Sequence, residues 1–372
     1  HDALRTAVVH EHLRQPVQVV WRSAEPVLDE VILEADAVDP VQRLRSLATQ
    51  RHPNMPLDRA PLLRGIAAGN PVDKSWYLLL LSHHLTSDHS TLETINAEIA
   101  VLRANPDAEL PAPVPFRRLV VHALDPAARA SHAAFFQAML ADIDEPTAAY
   151  GLLDVRGDGI GNVAHSEPLD AQLLERLRGV SRQLQVSSAS VLHLAFAALL
   201  ARLAGKLDVV FGTVVLGRLS GADSAGKVVG PSINTLPLRV ALRDQSVTSG
   251  LRAMYRSLTE LMRHEQASLA LAQRCSSIPA PAPLFTALLN YRHNVRGAAS
   301  AAPAGVRICL AEERTNYPLA VVVDDDEASL GITIDANAAL DARSLWRMLH
   351  HTLVQLIGAL ESQPELGIEQ LE

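Results

Sequence analysis

Residues 76–102 read WYLLLLSHHLTSDHSTLETINAEIAVL. The first six form a continuous apolar run that stops at Ser82, the pattern of a strand buried on both faces. From Ser90 the pattern changes, and Leu92, Ile95, Ile99 and Leu102 recur at helical spacing. Strand, polar loop and helix follow in that order, and the loop carries His83, His84, Asp88 and His89. Side chains at such a junction stand on rigid supports and point into clefts. Imidazole, moreover, is the side chain whose unperturbed titration suits proton transfer near neutrality.

The flanking sequence is also mixed α and β. Residues 17–34 hold two short β-rich runs interrupted by Pro26, and residues 39–50 have helical periodicity. A Pro-rich stretch at 109–116 leads into an Ala-rich helical segment ending near Leu140. Turn-formers in DEPTAAYGLLDVRGDGIG mark the best linker, so the expected halves are residues 1–147 and 148–372. In the second half two helical patterns precede a β run, LDVVFGTVVLGR, that closes in Gly217 and Arg218. A Gly-rich loop to Gly230, the strand INTLPLRVAL, a helix through about Ala272, strands at 284–292, 319–326 and 329–337, and a helix from Asp341 to Glu361 complete it. Both halves read as α/β sandwiches, with helices covering mixed sheets.

Composition narrows the function classes. Of 372 residues 48% are hydrophobic and 20% charged, which fits a folded globular chain rather than a disordered one. With 33 Lys and Arg against 41 Asp and Glu and no basic block, nucleic acid is an unexpected partner. No apolar run approaches the roughly 20 residues of a membrane-spanning helix, so no membrane insertion is expected. Cys275 and Cys309 are too few for a disulfide framework or a Cys-rich zinc site, which suits a reducing cytoplasm. The chain opens on HDALRTAVV without an initiator Met or a signal-like segment, as expected of a piece of a longer polypeptide.

For the 83–89 cluster three readings compete: hydrogen-bonded structural histidines, a metal site built from His83 or His84 with Asp88 and His89, and acid/base or positional catalysis by His84. The metal reading lacks an HExxH helix or a Cys pair. Successive residues on a strand also face opposite ways, so the cluster does not simply converge.

HHLTSDH at 83–89 resembles the HHxxxDG signature of the condensation domains of nonribosomal peptide synthetases. Further segments resemble that family in order. HDALRTAVV resembles RHExLRTxF without its first Arg, DVVFGTVVLGR the segment ending in GR, and VVGPSINTLPLRV the GxxxNTLPLR segment. HEQASLALAQ is loosely similar to HQxxPFEKL, and PLFTALLNYRHN to the strand PLFQxxLNYR. The family's SxAQxRLW segment is missing, so the resemblance implies an N-terminal lobe incomplete at its start.

The resemblance implies a pseudo-dimer of two chloramphenicol-acetyltransferase-like α/β lobes with a tunnel between them, and an amide-forming acyltransferase-type reaction. A donor carrier protein would bring an acyl or peptidyl thioester on a 4'-phosphopantetheine arm and an acceptor carrier protein an aminoacyl thioester, with adjacent synthetase domains as neighbours. No cofactor or metal would be bound directly. The catalytic set implied is His84, His83 and Asp88. His84 would act as general base or positioner, His83 would face away as support, and Asp88 would pair with Arg218. Asn234, Asn290, Tyr291 and His89 would line the tunnel or support it. His89 replaces the usual Gly, which permits φ > 0 or close substrate approach. That departure keeps variant chemistry open: epimerising, dehydrating or ester-forming domains, or a non-catalytic carrier-binding module.

Overall fold

The computed structural model describes the chain except residues 35–38, 53, 158, 217–227, 294–304, 311, 327 and 372. Two compact units divide it: His1–Val121 with Gly221–Ser232 and Ala298–Glu312, and His122–Ser220 with Ile233–Gly297 and Glu313–Glu372.

In the first unit β1 (Thr6–Val9) and β2 (Val17–Val20) form an antiparallel ladder. A second, three-stranded sheet has the order β3 (Val27–Ile32), β4 (Leu63–Gly69), β5 (Trp76–Ser82), with the first pair parallel and the second antiparallel. One face packs under helix α1 (Pro40–Arg51), where Leu44 and Ala48 meet Ile66 and Ala68. Asp39 starts α1 by accepting from the amides of Val41 and Gln42, and Pro40 occupies a helical position whose N–H has no partner to lose. The 76–81 run is therefore not a strand buried on both faces: Tyr77, Leu79 and Leu81 turn toward α1, while Trp76, Leu78 and Leu80 are exposed. Helices α2 (His89–Ala104) and α3 (Arg117–Ala123) follow.

The second unit opens with α4 (Pro126–Leu140) and then β6 (Val163–Pro168), α5 (Ala171–Leu184), α6 (Ser188–Ala204), β7 (Asp208–Leu216), β8 (Ile233–Ala241), α7 (Val247–Met262) and α8 (Leu269–Arg274). It closes with β9 (Ala287–His293), β10 (Leu319–Asp325), β11 (Leu330–Ala336) and α9 (Ala342–Ser362). The sheet is mixed, in the order β6-β11-β10-β9-β7-β8. Helix α6, apolar nearly all round, is buried from Ser190 to Ala201 and serves as the central helix of this core.

The expected division at 147/148 differs from the one found, which places residues 122–147 with the second unit. Phe136 and Leu140 of α4 are fully buried in the second unit's core, and polar anchors hold the residues that follow. The Arg239 guanidinium grips Asp142 and Asp208, and also donates to the Met139 carbonyl. The Thr147 hydroxyl accepts from the Val210 amide, and Lys206 Nζ donates to the Pro146 carbonyl. No single helix among the described residues is long and apolar enough to cross a membrane.

Among the described residues this unit buries three histidines. His193 Nδ1 donates to the Ala189 carbonyl at 2.7 Å, while Nε2 lies 2.8 Å from the Thr213 hydroxyl. Burial pushes its pKa down to about 4. His132 and His264 meet Nδ1 to Nδ1 at 2.8 Å, and burial lowers both. Each has a folded-state pKa below its unfolded value, so the unfolded chain binds more protons below the ordinary histidine range. The stability they contribute is complete above that range and is lost as pH falls. For His193 the window runs from 6.5 down to about 4, worth about 3 kcal/mol. Urea midpoints should therefore fall steadily from pH 7 to pH 4.5. His193→Gln should be less stable at pH 7 and show a shallower decline; an equal slope in both proteins would contradict this account.

Candidate active site

The polar loop begins where β5 ends. The His83 amide donates to the Leu62 carbonyl at 3.1 Å, which fixes the chain as it leaves the sheet. The His83 carbonyl then accepts from the Thr86 amide at 3.0 Å, closing a tight turn. The imidazole of His83 supports this turn: its Nδ1 accepts from the Leu85 amide at 3.1 Å. A ring nitrogen that accepts an amide hydrogen is unprotonated. Burial, with a smaller contribution from His84, lowers the His83 pKa in the same direction.

His84 is exposed, and its Nδ1 lies 3.1 Å from the Ser87 carbonyl oxygen. A carbonyl only accepts, so Nδ1 carries the proton. In the neutral ring Nε2 is then left as a lone-pair acceptor. The loop thus selects the tautomer of its own exposed histidine.

Asp88 caps α2 in extended backbone conformation, with φ −128° and ψ 179°. Its Oδ1 accepts from the Thr91 amide at 2.8 Å, from the Thr91 hydroxyl at 2.8 Å and from the Ser90 hydroxyl at 2.9 Å. Its Oδ2 accepts from the Ser232 amide at 2.8 Å and the Ser232 hydroxyl at 2.9 Å. Burial leaves the residue 2% exposed and pushes its pKa up, but the bonds from Ser232 and Thr91 outweigh this and hold it below the ordinary carboxylate value. Arg218, the partner expected for Asp88, lies outside the described residues.

His89 occupies the first position of α2 and has no positive φ. Its Nε2 lies 3.5 Å from Glu93 Oε1, one turn along its own helix. Among the described residues no group of three or more His, Cys, Asp and Glu side chains is placed to hold a metal ion.

The other expected site residues belong to the second unit. Asn234 on β8 donates through Nδ2 to the carbonyls of Glu265 at 2.8 Å and Ala267 at 2.5 Å, so it holds a backbone turn. Tyr291 on β9 donates its hydroxyl to Asp325 Oδ2, while Arg178 reaches Asp325 Oδ1 at 3.1 Å. Burial, then that hydrogen bond, raise the phenol pKa, which keeps it a donor. Asn290 is half-buried beside Val322. The sequence reading missed Thr91, Gly230 and Ser232. Thr91 stands three residues after Asp88, the spacing of a capped helix start, but no local signal links Asp88 to Ser232.

Removing the Asp88 side chain strands its Thr91 and Ser232 donors in a buried place. Asp88→Ala should therefore cost on the order of 3 kcal/mol. Asp88→Asn should cost less, because its carbonyl oxygen still caps the helix while its amide faces the Ser232 N–H. Thermal unfolding should rank wild type above Asn and Asn above Ala; equal losses would show that the cap carries no separate weight.

The family model of the Condensation domain matches residues 1–372. The chain is 42% identical over 376 residues to malpinin synthetase of Mortierella alpina, and 40% identical over 373 residues to malpibaldin synthetase of the same organism. Both matches take in 100% of this chain but only 5% and 7% of those proteins, so it spans a small part of its relatives' length. In fold it is similar to the condensation domain of the monacolin K polyketide synthase MokA, with a TM-score of 0.77 at 19% identity over 99% of this chain and 87% of that one. A four-domain nonribosomal peptide synthetase, AB3403, gives a TM-score of 0.79 at 14% identity over 100% of this chain and 30% of that one. With the two-unit α/β architecture and the histidine loop in place, the chain belongs to the condensation-domain family of nonribosomal peptide synthetases.

Proposed function

We propose that the chain forms an amide between an acyl or peptidyl thioester on a donor carrier protein and the amine of an aminoacyl thioester on an acceptor carrier protein. Both substrates arrive on 4'-phosphopantetheine arms, which belong to the carriers. The observation that carries this reading is the orientation of His84: with Nδ1 bound to the Ser87 carbonyl, Nε2 is an acceptor on an exposed ring. An amine needs such a partner. As its nitrogen attacks the thioester carbon, it acquires positive charge and must lose a proton. His84 Nε2 accepts that N–H, the C–N bond forms, the C–S bond breaks, and the proton passes to the departing thiolate. A base in this role supplies roughly 10²- to 10⁴-fold, and alignment of two tethered reactants supplies more.

His83 and Asp88 support this step without touching the reactants. His83 holds the turn through the Leu85 amide, and the Asp88 carboxylate is taken up by Thr91, Ser90 and Ser232. His89 lies along its own helix and has no assigned step in the reaction.

Incubation with loaded donor and acceptor carriers tests the proposal by product mass. A mass equal to the sum of both acyl groups on the acceptor is expected. Unchanged mass with deuterium incorporation would mean epimerisation, and no change would mean carrier binding alone. His84→Ala should lower amide formation at least about tenfold, whereas His83→Ala should act mainly on thermal stability. His89→Gly should give the same product. Loss of one product in favour of another in that variant would overturn the passive role of His89.

A further inference from the structure

Two residues outside the histidine motif bind the segment 228–232 to the start of α2. Thr91 is fully buried, and its hydroxyl accepts from the Gly230 amide at 3.0 Å. That hydroxyl has a single proton and two acceptors in reach, Asp88 Oδ1 at 2.8 Å and the Gly230 carbonyl at 3.1 Å. The carboxylate is closer and charged, so it takes the proton. Ser232, 7% exposed, gives both its amide and its hydroxyl to Asp88 Oδ2. Gly230 itself packs against Phe116. Its φ is +144°, and a Cβ there would stand 2.4 Å from the Phe116 ring. A parallel bridge between Val114 and Val228 sets the same register one step earlier.

This clasp ends on the peptide that orients the exposed histidine. The carbonyl bound to His84 Nδ1 belongs to Ser87, and the next residue is Asp88. We infer that Ser232 and Thr91 are positioning residues: acting through Asp88, they hold the Ser87 carbonyl in place and so keep His84 in the tautomer that presents Nε2. The inference rests on the amide-forming reading for its kinetic consequence, but not for its structural one. Loss of the Ser232 hydroxyl still leaves the Ser232 amide on Oδ2, and loss of the Thr91 hydroxyl still leaves the Thr91 amide and the Ser90 hydroxyl on Oδ1, but the carboxylate is held by fewer bonds and the Ser87 peptide gains room to turn. A ring whose Nδ1 loses that acceptor has no reason to keep its proton there, and a misaligned base slows the reaction while leaving carrier binding intact.

The test uses the whole chain labelled with 13C and 15N at histidine. The His84 resonances are identified as those absent from His84→Gln and followed at pH 8 without substrate. Wild type should show the Nδ1-protonated tautomer. Ser232→Ala and Thr91→Val should shift the ring toward the Nε2-protonated form and lower kcat roughly tenfold with KM nearly unchanged. Ser232→Thr and Thr91→Ser keep the hydroxyl and should restore both readings. Thr94→Ala, which removes a hydroxyl bond to the Ser90 carbonyl within α2, is the control for general weakening of the helix and should move neither. An unchanged tautomer in both folded hydroxyl-free variants overturns the inference whatever their rates. A shifted tautomer with unchanged kcat overturns the positioning role. Should the wild type make no amide, the functional proposal fails, while the tautomer still decides whether the clasp orients His84.

Discussion

A carboxylate 2% exposed is the constraint on which the first unit's loop depends. Burying it removes water from both oxygens, and the chain replaces that water with backbone amides and hydroxyls. Among the described residues donors come from α2 and from the segment ending at Ser232, so satisfying one side chain also fixes where those stretches lie. Hydrogen bonds to the charged form outweigh desolvation, so Asp88 remains an anion and its partners remain bound. The turn at 83–86, the start of α2 and the close approach at Gly230 are all consistent with this single requirement.

The second unit buries His193 in the opposite way. His193 sits inside the apolar helix α6, where burial keeps it neutral, and a neutral imidazole needs one donor and one acceptor. Thr213 and the Ala189 carbonyl supply them. Asp325 resembles Asp88 more closely, being held between the Tyr291 hydroxyl and the Arg178 guanidinium. Partner chemistry therefore decides the charge: amides and hydroxyls keep the buried Asp88 charged, while a carbonyl and a hydroxyl satisfy the buried, neutral His193.

How much of this the sequence reveals depends on the range of the interaction. The helices at 40–51 and 342–362 and the strands of β8, β10 and β11 follow from local periodicity and caps, and they stand within a few residues of where the pattern puts them. Strand β4 escapes that reading because LRGIAAG is rich in Gly and Ala, which have little β preference of their own. Its strand form comes from having β3 and β5 on either side. The half-exposed face of β5 escapes for a related reason: an unbroken apolar run carries no alternation to show which side is covered. At the site, the histidines and Asp88 were legible as a dense polar cluster. The part played by Ser232 was not, because it lies 144 residues from the carboxylate it binds.

His89 shows how a departure from a motif can be weighed against geometry. The family's usual glycine at this place would serve either a left-handed backbone or close approach of another group. The first reason does not apply here. Asp88 caps α2 from extended backbone, and the following residue enters the helix without positive φ, a conformation open to any L-residue. The histidine ring is turned along the helix toward Glu93. What a side chain changes at this position is therefore the space beside the loop and not the path of the backbone. The cap, the turn and the orientation of His84 can persist whichever residue stands at 89, and any effect of the substitution falls on the molecules that approach the histidine.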